Sequence, residues 1–264
     1  MEGQPKLVER FQTDRLHTEV YANRREMGVA AGRAVGLRLR ELLARQEGVR
    51  MTFASAPSQN EFLAELRRLP GLDWSRVTAF HLDEYVGLGA VAPQSFSRFL
   101  VDSLFSMVRP GAFHALNGLA ADSEDECRRY AALLNAAPVD ILCCGIGENG
   151  HLAFNDPPVA DFADPLSVKI VQLTLESREQ QVHDGTFPSL ADVPQRALTL
   201  TVPALMAAKH VYCMVPGPTK AAAVRDSLLG PVATACPATA MRRHPSATLY
   251  VDLDSSALFR AERG

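Results

Sequence analysis

No stretch of this 264-residue chain comes near the roughly eighteen uncharged apolar residues that cross a bilayer as a helix, so no membrane span is expected. The opening residues Met1-Glu2-Gly3-Gln4-Pro5-Lys6 hold no apolar core of a secretory leader. Charge of one sign is also missing. With 27 Lys and Arg against 30 Asp and Glu, the formal net charge is -3, which gives no electrostatic reason to expect a nucleic acid or an anionic membrane as partner. Cysteine is scarce and odd in number: Cys127, Cys143, Cys144, Cys213 and Cys236 lack the paired spacing of a zinc site and mostly fall in apolar runs, which reads as reduced, buried thiols in a cytoplasmic protein. His114, His183, His210 and His244 form no metal-ligand pairs. A Gly-x-x-x-x-Gly-Lys-Ser/Thr loop and a Gly-x-Ser-x-Gly elbow are absent, and no Gly-x-Gly-x-x-Gly dinucleotide loop is expected after a strand. Neither a metal, an organic cofactor nor acyl-serine chemistry is therefore expected. Without repeats, low-complexity tracts or long linkers, and at 47% hydrophobic residues, the chain reads as one domain over residues 1–264.

What is present is an alternation of apolar runs and amphipathic stretches. Met27, Ala31, Val35, Leu39 and Leu42 recur at helical spacing and predict a helix from about 23 to 45. A short strand at 51–55, the polar loop Ala56-Pro57-Ser58-Gln59-Asn60 and a helix at 61–69 follow, an order that cradles phosphates. The strand of 77–82 precedes a helix near 96–107. A capping box, Ser123 with Glu126, opens a helix running to about Asn135, and the apolar run of 139–144 reads as a buried strand. Further strands are expected at 168–173, 197–202, 210–215 and 247–251, and a helix at 221–229. Such alternation with short connections predicts an α/β fold: three layers, with a mainly parallel, doubly wound sheet between helices on both faces.

Two polar clusters end apolar runs, where open α/β sheets bind ligands. The first is His81-Leu82-Asp83-Glu84-Tyr85, in which Asp83 at a strand end suits a general base. The second is Gly145-Ile146-Gly147-Glu148-Asn149-Gly150-His151-Leu152-Ala153-Phe154-Asn155-Asp156. There His151 is placed to move protons near neutral pH, with Glu148, Asn149 and Asp156 at hand to orient its ring. Lys220 precedes a helix whose free N–H groups favour an anion, and a cation at that end opposes the helix dipole unless an anion sits there too. Ser55, Ser58, Gln59 and Asn60 are candidate donors to phosphate oxygens. Read from the residues alone, the chain carries out acid/base chemistry on a small phosphorylated molecule.

The runs Leu82-Asp83-Glu84-Tyr85-Val86-Gly87-Leu88 and Gly145 to Asn155 resemble the signatures of glucosamine-6-phosphate deaminases, within the superfamily that includes 6-phosphogluconolactonases. The resemblance covers most of the chain. It implies a modified Rossmann-like fold and conversion of glucosamine 6-phosphate and water into fructose 6-phosphate and ammonia, with no cofactor. Asp83 then takes the C2 proton, His151 helps open the sugar ring, Lys220 holds the phosphate, and Glu84 joins the substrate-binding residues. Asn149 stands where better-known members carry aspartate, and Asp156 where they carry a longer glutamate, so the relay leans on Glu148 or Asp156. The loop of 54–60 replaces a glycine-rich phosphate loop. His183 falls at the position of the family's second phosphate cation. Association of copies is expected from the same likeness. The alternatives are a lactonase or isomerase acting on a non-aminated sugar phosphate and, in a different class, a sensor that binds a sugar phosphate without converting it.

Overall fold

The computed structural model describes residues 3–263; Met1 and Glu2 of the opening stretch, and Gly264, lie outside them. Eleven strands are formed among the described residues: β1 (Leu7–Thr13), β2 (Leu16–Tyr21), β3 (Val49–Phe53), β4 (Val77–His81), β5 (Asp83–Tyr85), β6 (Ala112–His114), β7 (Ile141–Cys144), β8 (Val168–Gln172), β9 (Arg196–Leu200), β10 (His210–Val215) and β11 (Ala247–Asp252). The α-helices are α1 (Arg24–Leu43), α2 (Asn60–Leu66), α3 (Phe96–Leu100), α4 (Ser106–Val108), α5 (Ser123–Asn135), α6 (Leu175–His183), α7 (Val202–Met206), α8 (Ala221–Leu229) and α9 (Ala257–Arg263).

Eight strands make the main sheet in the order β1-β2-β11-β10-β7-β3-β4-β6, with all neighbours parallel except β1 and β2. The central strands are buried on both faces, as continuous apolar runs such as Ile141-Leu142-Cys143-Cys144 require. Two apolar clusters cover those faces. One gathers Leu142, Cys144, Cys213 and Leu249 with α5 and α8; the other gathers Met51, Phe53, Ile141 and Met214 with α1 and α2. The stripe predicted for α1 is there, with Met27, Ala31, Val35 and Leu39 fully buried. From β3 the chain winds outward through β4 to β6, then returns to the other side of β3 as β7 and continues to β10 and β11. The winding therefore reverses between β3 and β7, which opens a crevice beyond their carboxyl ends.

Three expectations are corrected. The strands near 168–173 and 197–202 are not part of the main sheet. They pair antiparallel as β8 and β9, and β9 pairs in turn with β5 in a separate three-stranded sheet. The apolar pattern marks a buried strand but not its partner. Asp83 does not close a strand into a loop: the chain bends off the main sheet at Leu82 and Asp83 begins β5. Helix α5 is capped by Asp122, whose carboxylate accepts from the Glu124 and Asp125 N–H groups, so Ser123 is already helical. The N-terminal hairpin β1–β2, α6, α7 and α9 carry too little apolar periodicity to be read in advance.

Candidate active site

Loops leaving β3 and β7 flank the crevice, and the Ala54 N–H ties them by donating to the Cys143 carbonyl at 2.8 Å. The cleft they open is lined by Ser55, Ser58, Asp83, His151 and Lys220 among others. Sequence separations of up to 165 residues are thus closed in one place.

The small sheet does the closing. Asp83 is paired with Thr199 of β9, and the Thr199 hydroxyl accepts from the Phe154 N–H at 3.1 Å. Asn155 donates to the Leu200 and Leu152 carbonyls at 2.7 and 2.8 Å. One strand therefore holds the carboxylate on one side and the histidine loop on the other. Asp83 is buried, and burial, reinforced by the Glu84 charge, pushes its carboxyl up to about 8.

The ring of His151 is set by a chain of donors and acceptors. Asp156, fully enclosed, accepts from Asn149 Nδ2 at 2.8 Å and from Ser177 Oγ at 2.7 and 2.9 Å. Burial works against its ionisation, but the hydrogen bond and charge of His151, with the Asn149 and Ser177 donors, outweigh it and hold the carboxyl at about 2. An ionised carboxylate only accepts, so the NH₂ end of Asn149 must face Asp156 and its oxygen must face His151 Nδ1, 2.8 Å away. Nδ1 is then the protonated nitrogen, and Nε2 keeps the lone pair. Behind the ring, a Cβ on Gly147 would lie 2.0 to 2.3 Å from three imidazole atoms, so only glycine leaves room for it. Gly150 adopts φ 83°, which turns the chain into His151.

Gly145, Gly147 and Gly150 do have Gly-x-Gly-x-x-Gly spacing directly behind β7, contrary to the expectation that no such pattern follows a strand. No helix follows it, however. The chain passes instead through a Leu152–Asn155 bridge, so the backbone lacks the helix N-terminus that receives a pyrophosphate.

Lys220 ends the short turn Pro218–Lys220 after β10 and heads α8, as expected. Its loop is anchored by Asp252, whose two oxygens accept from the Gly217 N–H at 3.1 and 3.2 Å. Burial lowers the Lys220 pKa, and the charges of Asp184 and Glu148 oppose that. Ser55 Oγ, nine-tenths buried on the cleft wall, has no partner among the described residues.

The other predicted residues stand elsewhere. Glu84 does not line the cleft: its carboxylate accepts from Ser95 Oγ at 2.7 Å and from the Phe96 and Ser97 N–H groups, capping α3. Gln59, fully buried, donates to Ser58 Oγ at 3.0 Å and supports the loop. Asn60 is exposed on the first turn of α2. Glu148 and His183 pair at 3.5 Å on the outer side of the histidine loop, with the His183 side chain 62% exposed. Helix α6 supplies what the sequence reading missed. Ser177 sits beneath Asp156, Gln180 Oε1 accepts from the Glu148 N–H at 2.9 Å, and Gln181, Asp184 and Thr186 line the cleft. A signal was available, because Ser177, Gln180, Gln181 and Asp184 recur at i, i+3, i+4 and i+7, a polar stripe on one helix face.

The sequence profile described as glucosamine-6-phosphate isomerases/6-phosphogluconolactonase matches residues 22–250. Glucosamine-6-phosphate deaminases of Bacillus thuringiensis (strain Al Hakam) and Bacillus anthracis (strain CDC 684 / NRRL 3495) are each 37% identical over 220 residues, 83% of this chain and 82% of theirs. Among solved structures, a monomeric glucosamine-6-phosphate deaminase superposes with TM-score 0.85 at 29% identity, over 91% of this chain and 99% of its own. A 6-phosphogluconolactonase from Thermotoga maritima shares the fold, with TM-score 0.73 at 18% identity over 90% of this chain and 99% of its own. With its paired motifs folded into one cleft at the sheet's switch point, this chain belongs to the family of glucosamine-6-phosphate isomerases and 6-phosphogluconolactonases.

Proposed function

We propose that the protein is a deaminase of an amino-sugar phosphate, converting glucosamine 6-phosphate and water into fructose 6-phosphate and ammonia. The observation that carries this reading is that Asp83 and His151 open onto one cleft with Lys220. His151 Nε2, with its lone pair toward the cleft, takes the anomeric hydroxyl proton of the closed sugar and returns it to the ring oxygen, opening the ring. The imidazolium formed on the way is stabilised by Asp156, 3.3 Å from Nδ1. Asp83 removes the proton on C2 of the aldehyde and delivers it to C1 through an enolamine. The resulting C2 imine is hydrolysed by water, which releases ammonia and leaves the ketone. Burial suits Asp83 to this task, since a carboxyl raised to about 8 is a stronger base than an exposed one.

Lys220, with hydroxyls of Ser55 and Ser58, is the anion seat in this reading. The 37%-identical relatives named as deaminases support the amine over a lactone as substrate. No helix of the described residues is long and apolar enough to cross a membrane, in keeping with a small-molecule substrate taken from solution. Association of copies finds no support in the relative of TM-score 0.85, which is monomeric.

Ammonia and fructose 6-phosphate are measured after mixing the protein with glucosamine 6-phosphate, with galactosamine 6-phosphate and 6-phosphogluconolactone alongside. Asp83→Asn is expected to lower kcat by about a thousandfold while substrate still binds. Lactone hydrolysis without ammonia would replace the reading with the lactonase alternative; binding without any product would replace it with the sensor.

A further inference from the structure

The cleft is short of positive charge for a phosphate dianion. Among the described residues that line it Lys220 is the one cation, and it shares the cleft with the carboxyl groups of Asp83 and Asp184. His183, at the position expected to supply a second cation, lies outside and faces Glu148. The remaining polar side chains of the wall, Ser55, Ser58, Gln180, Gln181 and Thr186, are neutral. Ser55 Oγ is buried there without a partner, a donor prepared for a ligand oxygen. A phosphate monoester has a second pKa near 6 and carries about two charges at pH 8. One ammonium, plus roughly half a charge from the α8 N-terminus, leaves part of that dianion uncompensated, with Asp184 nearby to repel it.

We propose that this seat is built for a tetrahedral oxyanion ester bearing a single negative charge, either a sulfate monoester or a phosphate monoester that keeps one proton. The proposal deepens the amino-sugar reading and rests on it for the rest of the cleft; the charge count of the seat rests on Lys220, Asp184 and the neutral wall.

Changing pH also titrates the protein around the seat. Asp83 faces it from β5, His151 from the loop after β7, Asp184 from the end of α6 and Lys220 itself from α8, and the charge of Glu148 also reaches Lys220 from the outer side of the histidine loop. A sulfate ester has no proton to lose in this range, so the ratio of the two ligands' Kd values cancels the protein's own titration and isolates the proton on phosphate.

The test uses the full chain with sorbitol 6-phosphate and sorbitol 6-sulfate, which have neither amine nor carbonyl, so binding is read by calorimetry without turnover. If only the singly charged phosphate binds, its fraction falls from about three quarters at pH 5.5 to about one hundredth at pH 8. The phosphate-to-sulfate Kd ratio then rises by up to roughly 75-fold. Asp184→Asn, which removes the opposing charge from a half-buried side chain, is expected to bring that rise below about tenfold. Gln181→Lys, which adds a second cation without removing any group's charge, is expected to do the same. A ratio that stays constant or falls toward pH 8 would overturn the proposal, and so would a sulfate ester that fails to bind where the phosphate does. Absence of ammonia from every amino-sugar ester would instead count against the deaminase reading, leaving these binding results intact.

Discussion

Replacing Asp156 with asparagine exchanges one carboxylate oxygen for an NH₂ group and should reverse the polarity of a whole chain of hydrogen bonds. In the native protein Asp156 is the terminal acceptor for Asn149 and Ser177. An amide at 156 turns one of its ends into a donor, and where its NH₂ takes the place of Oδ1, the oxygen that accepts from Asn149, Asn149 meets it by flipping its own oxygen toward it. The NH₂ of Asn149 then faces His151 Nδ1, which must give up its proton, and the proton moves to Nε2. With its catalytic lone pair gone, His151 no longer accepts the anomeric proton, and kcat for ammonia release should fall by about 10² to 10⁴. Stability changes in step. A carboxyl held at about 2 instead of 3.8 contributes roughly 2 kcal/mol once ionised. Because the folded pKa is the depressed one, that contribution is complete above about pH 4 and is lost as pH falls through about 2. Urea unfolding of wild type and Asp156→Asn should therefore differ by about 2 kcal/mol near neutral pH and converge near pH 2. A variant that keeps turnover within about threefold of wild type would refute the tautomer argument, whatever its stability.

Gly147→Ala places a methyl against the imidazole, whose atoms stand 2.0 to 2.3 Å from the new Cβ, and must push the ring by about 1 Å; kcat should drop about a hundredfold with little change in KM. Glu84→Gln removes a charge that raises the Asp83 pKa. Asp83 acts as an anion, so in the wild type kcat at saturating substrate should climb with pH toward about 8, and in the variant that rise should move to lower pH. Because the same carboxylate caps α3, the variant should also lose about 2 kcal/mol of stability by thermal or urea unfolding. An unmoved pH profile in a folded Glu84→Gln protein would mean that burial alone sets the Asp83 pKa.

The sequence by itself determined the main sheet's alternation, the α1 stripe and the location of Asp83, His151 and Lys220 at ends of apolar runs. Those features follow from local periodicity and from glycine-punctuated turns, which each segment specifies within its own few residues. Tertiary structure decided the rest. That β8 and β9 leave the main sheet for β5 depends on a bend at Leu82, and that bend sets Asp83 across from the histidine loop. The same chain of contacts decided that Glu84 caps a helix while Asp83 faces the cleft, though the two are adjacent, because successive side chains on a strand point to opposite faces. Helix α6 was opaque for a similar reason. Its buried face is polar, and the apolar signal that betrays a packed helix is missing where Ser177 and Gln180 meet the catalytic loop. His183 shows the converse: its position in the sequence matched a phosphate ligand, but the helix carried it to the outside, where it pairs with Glu148. Residue types fixed the available chemistry, and long-range pairing fixed which of those residues share the cleft.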